Sequence, residues 1–149
     1  SAEEQIRRVE YEAAARSGLC PGVPEALERL RGAGLRLGVI TRNCAEAVSM
    51  ILARHPLPLD VLVPRETARR PKPEPEHFLQ ALEKLGVTPS QAALVGDHVT
   101  DMQCARGAGA AYAVAVAGAS SSLDDLRDAG ADYVGTTILE AAEFLLARA

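Results

Sequence analysis

Apolar positions recur along this chain in two rhythms. Some segments repeat at helical spacing and others run as short continuous apolar stretches. Residues 3–17 carry Ile6, Val9 and Ala13 near helical spacing, with Glu and Arg between them, and predict a helix that Gly18 ends. Leu19-Cys20-Pro21-Gly22 reads as a turn, and Pro24 stands where helices commonly begin. A second helix is expected over 24–32, with Ala26, Leu27 and Leu30 facing inward and Gly32 and Gly34 closing it.

The apolar runs follow. Leu35 to Thr41 predicts a strand with a polar end, and Asn43 is a plausible N-cap for a helix over 44–54. Asp60-Val61-Leu62-Val63 predicts a short strand. Residues 69–75 must run extended, because each proline restrains the residue before it. A helix over 75–85 ends at Gly86, and a Pro-Ser turn follows at 89–90. Residues 92–97 predict a buried strand ending in an acid. Beyond it come a helix over 100–107, a strand over 111–116, a helix over 123–129, a strand over 132–134 and a helix over 138–147. Strands alternating with helices predict an α/β fold, a doubly wound parallel sheet covered on both faces. Only the N-terminal helix would lie outside that core, so residues 1–18 are separated from an α/β core over 19–149.

Composition narrows the class. The chain has 149 residues, 48% hydrophobic and 24% charged, as in ordinary globular proteins. No apolar run is long enough for a membrane span and no signal peptide is visible. A net charge of −4 and an aromatic content of 3% argue against nucleic acid as a partner. Cys20, Cys44 and Cys104 form no CxxC pair, so neither a disulfide framework nor a zinc site is expected, and three reduced thiols fit a cytoplasmic protein.

Open parallel sheets place their sites beyond the carboxyl ends of the strands. The polar residues there are Thr41, Asn43, Lys72, Asp97 and Asp101. Each alone has an ordinary reading: a Thr or Asp after a strand is commonly a cap, and a loop Lys is commonly solvated. Together they say more. Thr41 offers a hydroxyl beside the free amides that begin a helix, a natural phosphate site. Lys72, one of two lysines against fourteen arginines, stands between two prolines that stiffen its backbone. Asp97 and Asp101 concentrate negative charge that Mg²⁺ would relieve. Donors, a cation and a metal site describe phosphoryl transfer, where catalysis is mostly positioning and charge stabilisation. Arg42 and His98 flank these positions and could touch a substrate, although a solvated loop residue is the plainer reading. Gly32, Gly34 and Gly38 precede their strand and fail as a dinucleotide fingerprint.

At these residues the chain resembles a known family. "LGVITRN", "RRPKPEPEHF" and "ALVGDHVTDMQCARGAGA" are similar to the second, third and fourth motifs of the haloacid dehalogenase superfamily, in the order seen in its phosphoglycolate-phosphatase-like branch. The resemblance runs from about residue 20 onward. It implies a Mg²⁺-dependent hydrolase of small phosphate monoesters that works through an aspartyl-phosphate. Thr41 would bind the transferring phosphate with Asn43 assisting, Lys72 would hold phosphate and nucleophile, Asp97 would ligate Mg²⁺, and Asp101 would support it or ligate through water.

One departure matters. The family's first motif, an Asp-x-Asp at the end of the central strand, supplies the nucleophile and the general acid/base, and this sequence has none. Asp60 precedes its strand and Asp124-Asp125 follow a Ser-rich loop. The resemblance therefore implies a core without its central first strand and without most of the cap, of which residues 3–17 resemble the last helix. On that reading the chain is a truncated core, inactive alone, and an isolated sheet with unpaired strands would be unstable or self-associate. The alternative is a non-catalytic binder of a phosphorylated metabolite. A receiver-like signalling module fits less well, because its paired acids would come first and here the order is Thr41, Lys72, Asp97, Asp101.

Overall fold

A computed structural model describes residues 8–11, 22–40, 45–54, 56, 59–117 and 121–148. Six parallel strands make one sheet: β1 (Arg8–Tyr11), β2 (Arg36–Ile40), β3 (Val61–Val63), β4 (Ala92–Gly96), β5 (Tyr112–Val116) and β6 (Tyr133–Gly135). Their spatial order is β3-β2-β1-β4-β5-β6. Among the described residues five helices connect them, α1 (Val23–Gly32), α2 (Ala45–Arg54), α3 (Pro75–Leu85), α4 (Val99–Ala108) and α5 (Leu123–Asp128), and α6 (Ile138–Leu146) follows β6. This is the doubly wound parallel α/β sheet that the sequence predicts. The order reverses between β1 and β4, and such a switch point opens a crevice at the strands' carboxyl ends.

The middle of the sheet departs from expectation. Residues 8–11, expected within a helix, form the central strand. Val9 stands opposite Leu37 on one side and Ala93 on the other, and Tyr11 opposite Val95. Two causes favour the strand. Val9 and Tyr11, two apart, are strand formers. The facing backbone groups of β2 and β4 would otherwise be buried without partners, and tertiary context of that kind overrides helical spacing. The family's Asp-x-Asp strand is absent from the sequence, and Arg8–Tyr11 stands in the central position instead. No gap remains between β2 and β4, since β1 pairs with both. The rest of the expected helix lies outside the described residues.

Strand alternation builds two cores. On β4, Ala93 and Val95 face a cluster with Val23, Ala26, Leu27 and Leu30 of α1 and Ile138, Ala141, Ala142 and Leu145 of α6. Ala92 and Leu94 face the other, with Phe78, Ala81 and Leu82 of α3 and Met102, Cys104 and Ala105 of α4. The small residues of β4 and β5 allow helices to approach on both faces. Leu145 is fully buried, while Leu139 and Phe144 pack at the margin. Of the cysteines, Cys104 is buried and its Sγ donates to the Glu74 carbonyl at 3.2 Å, and Cys20 and Cys44 lie outside the described residues. The Pro-Ser turn at 89–90 is a short 3-10 helix, Pro89–Gln91.

Candidate active site at the carboxyl rim of the sheet

Three elements meet beyond the ends of β2 and β4. The loop from β3 to α3 carries Lys72, whose side chain is fully buried. Its Nζ lies 2.6 Å from Asp101 Oδ1, also fully buried, and 3.4 Å from the carbonyl oxygen of Ile40, the last residue of β2. The plain expectation of a solvated loop lysine does not hold. Lys72 ties the end of β2 to the first turn of α4.

Asp101 is held from several sides. Its Oδ2 accepts from the His98 N–H at 3.2 Å, and so closes the first turn of α4. Gly96, the last residue of β4, lies against it: a Cβ at Gly96 would overlap the Asp101 carboxylate and its Cβ. Glycine is required there because a backbone and a buried carboxylate share the space. Asp97 follows directly and is half-buried.

His98 is the N-cap of α4. Its Nδ1 accepts from the Thr100 N–H at 3.2 Å and lies 3.0 Å from the Thr100 hydroxyl. Thr41, Arg42 and Asn43 lie outside the described residues, although Ile40 immediately before them touches Lys72. Asn43 is expected to cap α2, and the first amide described in that helix, Ala45 N–H, donates to Glu66 at 2.9 and 3.1 Å from its two oxygens. An acid at a helix N-terminus is favourably placed against the helix dipole.

Two functional-looking residues escaped the sequence reading. His77, on α3, is fully buried. Its Nδ1 accepts from the Lys72 backbone N–H at 3.2 Å and its Nε2 lies 2.9 Å from the Val63 carbonyl oxygen. Gln80, one turn later, accepts from Arg69 N–H at 3.0 Å and donates to the Thr67 carbonyl. The signal was available: Pro71-Lys72-Pro73 has a single backbone N–H, which needs an acceptor once buried.

Mg²⁺ takes oxygen ligands, usually one or two carboxylates completed by water and phosphate oxygens. Asp101 is committed to Lys72 and to the turn of α4. Asp97, half-buried at the end of β4, carries oxygen donors of the kind such an ion takes, and no cluster of three metal-ligating side chains occurs among the described residues. β1 contains no aspartate, and its one acid is Glu10.

Known proteins resemble this chain in sequence and in fold. The sequence profile of the haloacid dehalogenase-like hydrolases matches residues 2–115. A phosphoglycolate phosphatase of Nitrosococcus oceani is 29% identical over 132 residues, which cover 87% of this chain and 58% of that protein. An N-acetylmuramic acid 6-phosphate phosphatase of Pseudomonas aeruginosa is 31% identical over 134 residues, 89% of this chain and 59% of that protein. Among solved structures, a hydrolase from Pseudomonas syringae superposes with a TM-score of 0.78 at 27% identity, covering 86% of this chain and 59% of that one. The chain thus spans somewhat over half the length of these relatives. No helix among the described residues is long and apolar enough to cross a membrane.

Proposed function

Since the chain belongs to the haloacid dehalogenase-like hydrolases, we propose that it forms the phosphate-binding core of a Mg²⁺-dependent phosphatase acting on small phosphate monoesters. The observation that carries this reading is the buried Lys72 ammonium, paired with Asp101 and within 3.4 Å of the backbone just before Thr41. A compact cation at a strand-end crevice suits the oxygens of a phosphoryl group. Family membership sets aside the receiver-like reading.

In this mechanism Thr41 donates its hydroxyl to a phosphate oxygen, and the amides opening the following helix do the same. Lys72 neutralises the anion and Asp101 fixes where the ammonium sits. Arg42, Asn43 and His98 contact the remainder of the substrate. Asp97 would hold Mg²⁺, which when bound offsets charge on the transferring group. The attacking and proton-transferring aspartates are not among these 149 residues. The chain alone therefore binds phosphate without turning it over, and the aspartyl-phosphate forms only where those acids are supplied. The missing Asp-x-Asp also favours a second reading, a cytoplasmic protein that binds a phosphorylated metabolite and never hydrolyses it.

One experiment separates the two. The full-length gene product is assayed on a panel of phosphate monoesters with and without Mg²⁺, beside Asp97→Asn and Lys72→Ala. The enzyme reading expects Mg²⁺-dependent hydrolysis that falls about 10²–10³-fold in either variant, the usual cost of removing one stabilising charge. Binding without hydrolysis selects the second reading. Full activity in both variants removes the site assignment.

A further inference from the structure

The loop between β3 and α3, residues 64–74, delivers Lys72, yet it has no regular secondary structure to hold it. Between Pro71 and Pro73 the Lys72 N–H is the only backbone donor, and Lys72 is 3% exposed. A buried donor must find an acceptor, and here it is His77 Nδ1. With Nδ1 accepting, the ring proton sits on Nε2, which donates to the Val63 carbonyl at 2.9 Å. One imidazole therefore joins the end of β3 to the lysine.

Gln80 repeats the pattern one helical turn away. Its side chain, 7% exposed, binds Thr67 O and Arg69 N in the middle of the same loop. Residues three apart share a helix face, so α3 presents two buried polar side chains to the loop it follows. Their four hydrogen bonds span from Val63 to Lys72. Apolar residues would fill the same volume but leave these backbone groups unpaired.

We propose that His77 and Gln80 are positioning residues: a two-residue clamp on α3 that fixes the loop backbone and so sets where the Lys72 ammonium stands at the rim. The clamp does not touch a ligand. Its purpose rests on the phosphate-site reading above, but its existence is measured without activity.

The test is lysine-ammonium ¹⁵N NMR on the 149-residue chain. Only Lys72 and Lys84 contribute, and Lys84 is exposed. The wild type should give one slowly exchanging ammonium signal, absent in Lys72→Arg. His77→Leu should shift that signal and speed its exchange about tenfold or more, as expected when a buried hydrogen bond is lost. His77→Asn, which restores an acceptor near Nδ1, should recover it. Gln80→Leu should produce a smaller change in the same direction, and decides the matter should His77→Leu not fold. Leu82→Ala, a core truncation on the same helix, should lower stability and leave the signal in place. An unchanged signal in His77→Leu or in Gln80→Leu, or an equal change in Leu82→Ala, overturns the clamp. Inorganic phosphate is then titrated into the wild type. No response of the Lys72 signal there counts against the phosphate reading alone.

Discussion

Lys72 and Asp101, 29 positions apart, meet at 2.6 Å with both side chains fully buried. Removing one member of a buried ion pair typically costs about 3–5 kcal/mol, whereas replacing both by apolar residues is often neutral. Asp101→Asn and Lys72→Ala should each lose about that much in urea unfolding. Lys72→Met combined with Asp101→Leu should recover most of the stability but none of the phosphate binding. A double variant that still binds phosphate would show the anion is held elsewhere.

Gly96 makes that pair possible. Gly96→Ala brings a methyl onto the Asp101 carboxylate and its Cβ. Overpacking of this kind costs about 1–3 kcal/mol, and here it also displaces Asp101. The expected outcome is a lower midpoint in denaturant and a perturbed Lys72 signal together. A normal midpoint would show that the end of β4 yields without strain.

Asp60 and Asp132 do matching work at the entrances to β3 and β6. Asp60 accepts from Leu37 N–H at 2.8 Å and pairs with Arg31, and Asp132 accepts from Ala113 N–H at 2.8 Å and pairs with Arg106. The backbone bond carries more of the stability than the exposed ion pair. Asp60→Ala should cost about 1–3 kcal/mol and Arg31→Ala under about 1 kcal/mol. Equal losses in calorimetric melts would contradict this ranking.

Glu140 closes the first turn of α6. The Thr136 N–H at 2.6 Å, then the Thr136 hydroxyl at 2.7 Å, hold its carboxyl below the ordinary value of 4.5. A carboxyl with a lowered folded-state pKa stabilises the fold above its unfolded value, and that contribution disappears as pH falls through the folded one. Glu140→Gln should therefore be less stable than wild type at pH 7, with the difference shrinking on acidification below about 4.5. A constant difference in urea midpoints from pH 7 to pH 3 would show that the carboxylate's charge contributes nothing.

Most elements outside the middle of the sheet were legible because their signals are local. α3 shows this best: Pro75 opens it, Gly86 closes it at φ 71°, and Phe78, Leu82 and Leu85 lie on its inner face. The strand at Arg8–Tyr11 was not legible, because its cause is the pair of strands beside it. Of the polar residues that the sequence places beyond the strand ends, Lys72 and Asp101 do meet. That Lys72 is buried, and that His77 and Gln80 hold its loop, depends on where α3 packs, which local spacing does not encode.

The central claim is that an anion binds at the rim where Lys72, Asp101 and the end of β2 meet. A crystal structure of the 149-residue chain soaked with tungstate and Mg²⁺ tests it most directly, since the heavy anion is located by its anomalous signal. The account predicts a tungstate oxygen at hydrogen-bond distance, about 2.7–3.2 Å, from Lys72 Nζ. Tungstate found elsewhere, with Lys72 and Asp101 undisturbed and the rim empty, would contradict it.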